Sequence, residues 1–292
     1  MSQTFTIPKH HRHPAFDPTI PPVFEITPGD TVTFATDDAP FERLFSGESI
    51  EAIGMETFNA VTGPVAVLGA KPGDALRIEI LDISLTRAWS VWLPGYGGFG
   101  HQTDRLQVQP IALNNGRAHI SERLTVPLDP MIGCIGLAPE RGRSSTLAPA
   151  YPWGGNMDLR ELSPGATLYL PVQVPGALLS LGDLHAAMGT GEPACVSLEA
   201  VGEATLKIDL EKNTTLQFPM LRLEGHTLCV GMGRSIHEAQ GIALDHAYNI
   251  LLKVHDLTPR EAYAYACARV SLRFAGPASP TVLAVVPDPD IQ

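Results

Sequence analysis

The sequence has few charged residues, no long apolar run and no cluster of basic residues. Only 17% of its 292 residues are charged, and the formal net charge is −11. A nucleic-acid-binding protein needs a basic surface, so the composition argues against nucleic acid and against anionic membranes as partners. No stretch approaches the roughly 20 apolar residues of a membrane-spanning helix, and the N-terminal segment lacks the apolar centre of a secretory signal. We therefore expect a cytoplasmic protein that binds a small neutral molecule or a cation.

Cysteine is also scarce, and the four cysteines do not form a metal-binding motif. Cys134, Cys195, Cys229 and Cys267 are far apart and show no C-x-x-C spacing. This pattern is typical of small buried residues in a reducing compartment, and it disfavours a disulfide framework or a thiolate zinc site.

The common hydrolase and nucleotide-binding signatures are missing as well. The sequence has no G-x-S-x-G, no H-E-x-x-H and no G-x-x-x-x-G-K-[ST]. Cys134 remains a possible nucleophile, although its neighbours Gly133 and Ile135 provide no positive charge to favour a thiolate. Carboxylates and histidine are left as the groups that could perform catalysis.

Glycine and proline are abundant, with 27 and 26 residues, and no collagen-like period is present. Proline followed by glycine is typical of a type II turn, and it occurs at 28–29, 72–73 and 164–165, each time before a segment that alternates apolar and polar residues. Such alternation predicts half-buried strands. Short strands with regular turns predict a mainly β protein, a sandwich or a barrel.

The C-terminal part has the pattern of helices. Ser235 and Glu238 form a predicted capping box before a segment with helical spacing, and Thr258 and Glu261 repeat the device with a proline between them. We expect a β-rich body over residues 1–210 and a smaller α+β portion over residues 211–292 that packs on it.

Asp183 and His185 are the strongest candidates for a functional site. They lie in the segment LGDLHAAMGTGE, where glycine and alanine surround three groups that can bind a metal or transfer a proton. Side chains two residues apart in an extended segment point to the same face, so both could reach one ion. Imidazole and carboxylate together suit zinc, and three protein ligands with an open position make a catalytic site.

Several segments, in the same order, resemble the acetamidase/formamidase family. They are the P-G-D-T-V-x-F opening that ends at Phe34, the G-P-V-x-V segment at 63–74, I-G-x-I-G-x-A-P-E at 132–140, G-G-N-M-D at 154–158 and G-D-L-H-A-A-x-G-x-G-E at 182–192. The resemblance extends through the C-terminal helices. It implies a jelly-roll-like β-sandwich body, homo-oligomers and hydrolysis of formamide, acetamide or related small neutral amides to the acid and ammonia.

The resemblance also implies roles for individual residues. Asp183 and His185 would hold a divalent metal that activates water, zinc being expected and calcium the alternative, and Asp38 or Glu192 would complete the ligand set. Glu140 would be the general base and then the general acid. The remaining matched positions, Asn156 and Asp158, would bind the substrate.

One departure from the family pattern leaves alternatives open. The last motif commonly reads G-D-G-E in the family, whereas this chain has Thr190 between two glycines. A second hypothesis is therefore a metal- or amide-binding protein on the same scaffold without catalysis. A third is a thiol amidase that uses Cys134.

Overall fold

The computed structural model describes residues 2–147, 149–214, 216–277 and 279–291, and strands dominate its architecture. In chain order the strands are β1 (Thr4–Ile7), β2 (Arg12–His13), β3 (Ala15–Phe16), β4 (Phe24–Ile26), β5 (Asp30–Ala35), β6 (Val61–Val67), β7 (Ala75–Trp92), β8 (Gln107–Asn114), β9 (Arg117–Ser121), β10 (Leu124–Pro127), β11 (Met131–Gly136), β12 (Ser144–Ser145), β13 (Ala150–Tyr151), β14 (Gly154–Asn156), β15 (Thr167–Pro171), β16 (Leu179–Ala187), β17 (Leu198–Glu211), β18 (Met220–Leu223), β19 (His226–Met232), β20 (Ser271–Phe274) and β21 (Thr281–Pro287). The helices are α1 (Ala39–Phe45), α2 (Ile50–Ile53), α3 (Ile236–Lys253) and α4 (Pro259–Arg269), with short 3₁₀ turns at Met55–Thr57 and Gly100–Gln102. The expectation of a mainly β protein is confirmed.

The predicted proline–glycine turns precede strands, as expected. Gly29, Gly73 and Gly165 all have φ between +92° and +95°, a backbone conformation that glycine adopts without steric cost. β5 follows the first turn, and its residues alternate between buried and half-buried positions. The alternation in the sequence therefore corresponds to one face on the core and one face toward the surface.

Nearly all the strands join in one large curled sheet, where the sequence analysis expects a sandwich of two facing sheets. Two long strands explain this difference: β17 pairs antiparallel along its whole length with residues 75–90 of β7, and the register shifts at two points. β7 also pairs with β8 and β15, and β17 also pairs with β5 and β16. Because these two long strands connect separate parts of the sheet, the sheet curls around one apolar core as a half-barrel.

The C-terminal helices pack on the same sheet. The Thr258 side chain accepts a hydrogen bond from the Glu261 backbone N–H, and the Glu261 side chain accepts one from the Thr258 N–H, which confirms the second predicted capping box. At α3, Ser235 caps the helix as predicted, but Glu238 accepts from the N–H of Arg234 instead of Ser235. α3 buries an alanine-rich face against β19 and β21, whereas α4 packs on α3 and β21 and buries Ala262.

The expected boundary between the β-rich body and the α+β portion, after residue 210, lies near the end of β17. The sheet continues beyond this boundary, since β18 pairs with β15. Among the described residues, no helix combines the length and the apolar character needed to cross a bilayer.

Candidate active site

Strand β16 carries Asp183 and His185 side by side, as their two-residue spacing predicts. The distance between His185 Nε2 and Asp183 Oδ1 is 3.4 Å, and the two side chains are only 1% and 4% exposed. Asp183 has a φ of +58°, in the left-handed region that non-glycine residues rarely occupy. Such strain persists only where the surrounding structure enforces it and is frequent in functional sites.

Glu199 joins the pair from the neighbouring strand β17. It lies directly opposite His185 in the antiparallel register, and its Oε2 is 3.6 Å from His185 Nε2. Its other oxygen accepts a hydrogen bond from the Ser197 N–H at 2.8 Å. The sequence analysis missed this glutamate. Glu199 alternates with the apolar residues Leu198 and Ala200, so the sequence pattern alone indicates a residue on the outer face of a strand.

Two loop carboxylates complete the cluster. Asp158 and Glu192 are 2% and 6% exposed, and both have positive φ, +45° and +40°. Glycine makes room for the acidic groups: a Cβ atom on Gly133 would lie 2.5 Å from Asp183 Oδ2 and 2.8 Å from Asp158 Oδ1. Any larger residue at position 133 would therefore push the two carboxylates away from their present positions.

The buried cluster, defined as Asp158, Asp183, His185, Glu192 and Glu199, has a large excess of acidic groups. Burial and the neighbouring Asp183 raise the pKa of Asp158 well above its ordinary value. Burial and Asp158 raise the pKa of Glu192 to about 10, and burial raises that of Glu199. For His185, burial lowers the pKa, but the charges of Glu199 and Asp183 outweigh this effect and raise it well above its usual value. The cluster therefore favours a bound positive charge.

Two groups within the cluster have donor atoms close enough to share an ion. One is Asp158, Asp183 and His185, and the other is His185, Glu192 and Glu199; within each group the donor atoms all lie within 4.8 Å of one another. Asp158 Oδ1 and His185 Nδ1 are buried and have no hydrogen-bond partner in the described part of the chain. A buried polar atom without a partner is energetically costly, so Asp158 Oδ1 fits a site that binds a cation.

Two asparagines lie beside the acidic groups. Asn156 donates from Nδ2 to the carbonyl oxygen of Leu147 at 3.0 Å, and Asn59 donates to Asp183 Oδ2 at 3.0 Å. Asn59 is a second site residue that no sequence motif predicts, since it lies in the segment before β6 that carries none of the family motifs. It fixes the orientation of the Asp183 carboxylate.

The cluster faces a cavity of about 410 Å³. The polar part of the lining consists of the acidic residues, His185 and both asparagines, and Cys195 and Leu147 also line the cavity. The rest of the lining is mostly apolar, from the α1–α2 segment and from the chain after β7. A pocket of this kind, with a few convergent polar groups in an apolar enclosure, is typical of a small-molecule site.

Asp38 is placed elsewhere, which revises its expected role as a metal ligand. It is buried, accepts a hydrogen bond from Trp89 Nε1 at 2.9 Å, and forms an ion pair with Arg87 Nε at 2.9 Å. It belongs to neither donor group among the described residues. Because its oxygens already have donors from β7, Asp38 ties the start of α1 to the sheet.

Glu140 also lies outside the cluster, which revises its expected role as general base. Its side chain is 70% exposed, its nearest cation is Arg141 at 3.6 Å, and it is absent from the described lining of the cavity. The carboxylate is solvated on the surface, because the chain turns outward after the buried strand β11.

Thr190, where this chain departs from the family pattern, is exposed in the turn before Glu192. Both donor groups are therefore intact despite this departure.

The position of Cys134 in the structure argues against its role as a nucleophile. Its thiol is buried, donates to the carbonyl oxygen of Thr146 at 3.5 Å, and does not line the cavity in the described part of the chain. Burial, together with the charges of Asp183 and Asp158, raises the pKa of this thiol well above its ordinary value. A thiolate is therefore strongly disfavoured at neutral pH.

The chain is similar to known proteins in both sequence and structure. The profile of the Acetamidase/Formamidase family matches residues 1–142 and 140–269. The crystal structure of an acetamidase from Bacillus halodurans is 31% identical, with a TM-score of 0.89 and 97% of each chain covered. A formamidase from Methylophilus methylotrophus is 25% identical over 87% of this chain and 77% of its own length. A curated relative from Schizosaccharomyces pombe is 26% identical over 69% of this chain, and the match spans 64% of that relative's length.

Proposed function

The chain belongs to the acetamidase/formamidase family, and we propose that it hydrolyses small neutral amides of the formamide and acetamide kind to the carboxylic acid and ammonia. One observation carries the proposal: the buried cluster of four carboxylates around His185 lines a cavity of about 410 Å³. Four acidic side chains and one imidazole in a buried site suit metal-assisted hydrolysis.

We also expect the protein to form a homo-oligomer. Light scattering after gel filtration would measure its mass.

The donor set fits a divalent cation, and we assign Asp158, Asp183 and His185 as its ligands. The unpartnered Asp158 Oδ1 supports this assignment, as do the approach of Asp183 to His185 Nε2 and the convergence of both aspartates over Gly133. Imidazole with carboxylates favours zinc, whereas calcium takes oxygen ligands alone. Such an ion, when bound, would supply a water molecule with a pKa near 7 and would polarise the amide carbonyl.

Glu192 is the residue we propose for proton transfer. Its carboxyl group lines the cavity next to Asp158 and is almost fully buried. A cation bound at the neighbouring ligands would offset the charge of Asp158 and favour the ionised form of Glu192. As the C–O bond forms, the ionised Glu192 would take a proton from the attacking water. It then delivers that proton to the leaving nitrogen as the C–N bond breaks, so that ammonia departs. General acid–base catalysis of this kind typically contributes about 10²–10⁴ in rate.

Asn156 is the residue we propose for binding the amide oxygen. Its Nδ2 uses one hydrogen for the Leu147 carbonyl, and an amide nitrogen has two. The second hydrogen is available for the substrate oxygen as negative charge develops on it. One such donor is typically worth about 2.7–4 kcal/mol of transition-state stabilisation. Asp158 thus acts at the ion in this scheme, and Asn156 acts on the substrate.

The test is ammonia release from formamide, acetamide and propionamide before and after dialysis against a chelator, with zinc then restored. Release that falls with the chelator and returns with zinc supports the proposal. His185→Ala is the matched inactive control, because it removes the ligand common to both donor groups. Ammonia release that the chelator leaves unchanged would contradict the role of the metal. Retained metal without release from any amide would favour the binding protein of the second hypothesis.

A further inference from the structure

The cavity is much larger than the smallest amides require. Formamide and acetamide have three and four non-hydrogen atoms, so one molecule of either occupies roughly 90–120 Å³ if each atom takes about the 30 Å³ of a water molecule. The cavity measures about 410 Å³. A short amide held at the acidic cluster would therefore fill roughly a quarter of the space and leave the rest to water.

The unused part of the cavity is apolar. One wall is formed by the segment between β5 and β6, which contains α1 and α2. The apolar residues of this segment that line the cavity are Phe41, Leu44, Ile50, Met55 and Phe58. All five are half-buried, so a ligand in the cavity would remove part of their remaining surface from water. We name this group of five residues the acyl wall. Burial of apolar surface is favourable and is proportional to the area covered.

The acyl wall is held in place by contacts outside the cavity. Phe41 packs edge-on against Phe58, with ring centroids 5.1 Å apart, and also stacks on Trp89 at 6.4 Å. Arg87 forms ion pairs with Asp38 at 2.9 Å and with Glu42 at 2.6 Å, and so fastens α1 to β7. A wall fixed in this way is preorganised, which lowers the entropic cost of binding a ligand.

The charged residues that line the cavity indicate which acyl groups it can bind. The described lining contains no lysine or arginine, and its acidic residues all belong to the buried cluster. An acyl group with a carboxylate or phosphate would find no counter-charge and would be repelled by the cluster. A hydrocarbon acyl group carries no charge and would contact the acyl wall when its carboxamide lies at the cluster.

We propose that the preferred substrates are primary amides whose acyl group is a hydrocarbon of about five to eight carbons, aliphatic or aromatic. This inference rests on the proposed function and deepens it, because the reacting carboxamide is the same as in formamide. Hexanamide and benzamide have eight and nine non-hydrogen atoms. They would occupy roughly 240–270 Å³ by the same count, which the cavity accommodates.

The experiment compares kcat/KM, measured by ammonia release, for acetamide, propionamide, hexanamide and benzamide. Each buried methylene is expected to raise kcat/KM up to about fourfold, so hexanamide should exceed propionamide by at least tenfold. In Phe58→Ala, the value for benzamide should fall at least tenfold while that for acetamide changes less than threefold. Tyr263→Ala, an aromatic residue 67% exposed on α4, is the control and should change neither value. Leu44→Ala repeats the test in case Phe58→Ala fails to fold.

The outcomes separate the two proposals. Release from formamide and acetamide with no gain for hexanamide or benzamide would overturn the acyl wall and leave the proposed function standing. If no amide releases ammonia, the proposed function fails, and calorimetric titration with benzamide and acetamide then tests the cavity alone. Tighter binding of benzamide that is lost in Phe58→Ala would support the acyl wall, and equal or absent binding of the two amides would overturn it.

Discussion

His185 and Glu199 lie opposite each other on paired strands, and their Nε2 and Oε2 atoms are 3.6 Å apart. The two residues are fourteen positions apart in the chain, and the return of the chain between β16 and β17 brings them together. This contact joins the two donor groups, because His185 belongs to both. Glu199 therefore either binds the ion itself or orients the imidazole that does.

Glu199→Gln is expected to weaken zinc binding by at least tenfold. Removal of a carboxylate that orients a ligating histidine typically costs about 10–100-fold in metal affinity. The measurement is zinc content after dialysis against graded chelator concentrations. Glu203→Gln is the matched control, because Glu203 lies on the same strand with its side chain exposed. Unchanged affinity in Glu199→Gln would show that this carboxylate does not act on the metal site.

Glu192→Gln is expected to lower kcat at least 100-fold and to leave the zinc content unchanged. The amide side chain keeps the size of the carboxyl group but cannot accept and return a proton. Glu140→Gln is the control and should stay within twofold of the wild type, since Glu140 is solvated on the surface. Loss of zinc in Glu192→Gln would instead assign the ion to the group of His185, Glu192 and Glu199.

Gly133→Ala is expected to reduce both zinc content and ammonia release at least tenfold. The added methyl group would lie 2.5 Å from Asp183 Oδ2 and 2.8 Å from Asp158 Oδ1, closer than atoms can approach. Gly241→Ala is the control on the exposed side of α3, where a Cβ meets nothing within 4 Å. That change should raise the free energy of unfolding by about 0.5–1 kcal/mol. Full zinc content in Gly133→Ala would contradict the assignment of both aspartates.

Asp38→Asn is expected to lower the free energy of unfolding by about 1–3 kcal/mol without changing the zinc content. The buried carboxylate accepts from Trp89 and pairs with Arg87, and hydrogen bonds to charged groups are worth about 1.5–3 kcal/mol. Asp129→Asn is the control, because Asp129 pairs with Arg160 on the exposed surface and the expected cost is about 1 kcal/mol or less. Chemical denaturation measures both variants. A fall in zinc content in Asp38→Asn would restore its expected role as a ligand.

His246 is expected to make the protein less stable in mild acid. Burial on α3 lowers its pKa to about 4, whereas an unfolded histidine titrates near 6.5. Between these two values the unfolded chain binds a proton that the folded chain does not, so stability falls as the pH drops from about 6.5 toward 4. His246→Gln should reduce the loss between pH 7 and pH 5 by about 1–2 kcal/mol. His237→Gln, exposed on the same helix, should not; equal losses in both variants would contradict the prediction.

The predictions from sequence that the structure confirms rest on local interactions. Proline–glycine turns, the alternation in β5 and the capping box at Thr258 all depend on residues within a few positions of one another. The same holds for Asp183 and His185, whose spacing on an extended strand places both on one face. The curled sheet was not predictable in this way, because it depends on how far β7 and β17 continue and on where their register shifts.

The amino-acid sequence by itself determined a mainly β protein with two capped C-terminal helices, and it placed Asp183 and His185 together, because turn geometry, alternation and capping act over short distances. Only the tertiary structure decided which other carboxylates join them. It brought in Glu199, which no motif marks, and it left Asp38 at Arg87 and Glu140 in solvent. Those positions follow from strand pairing and loop packing between residues far apart in the chain, which no local pattern encodes.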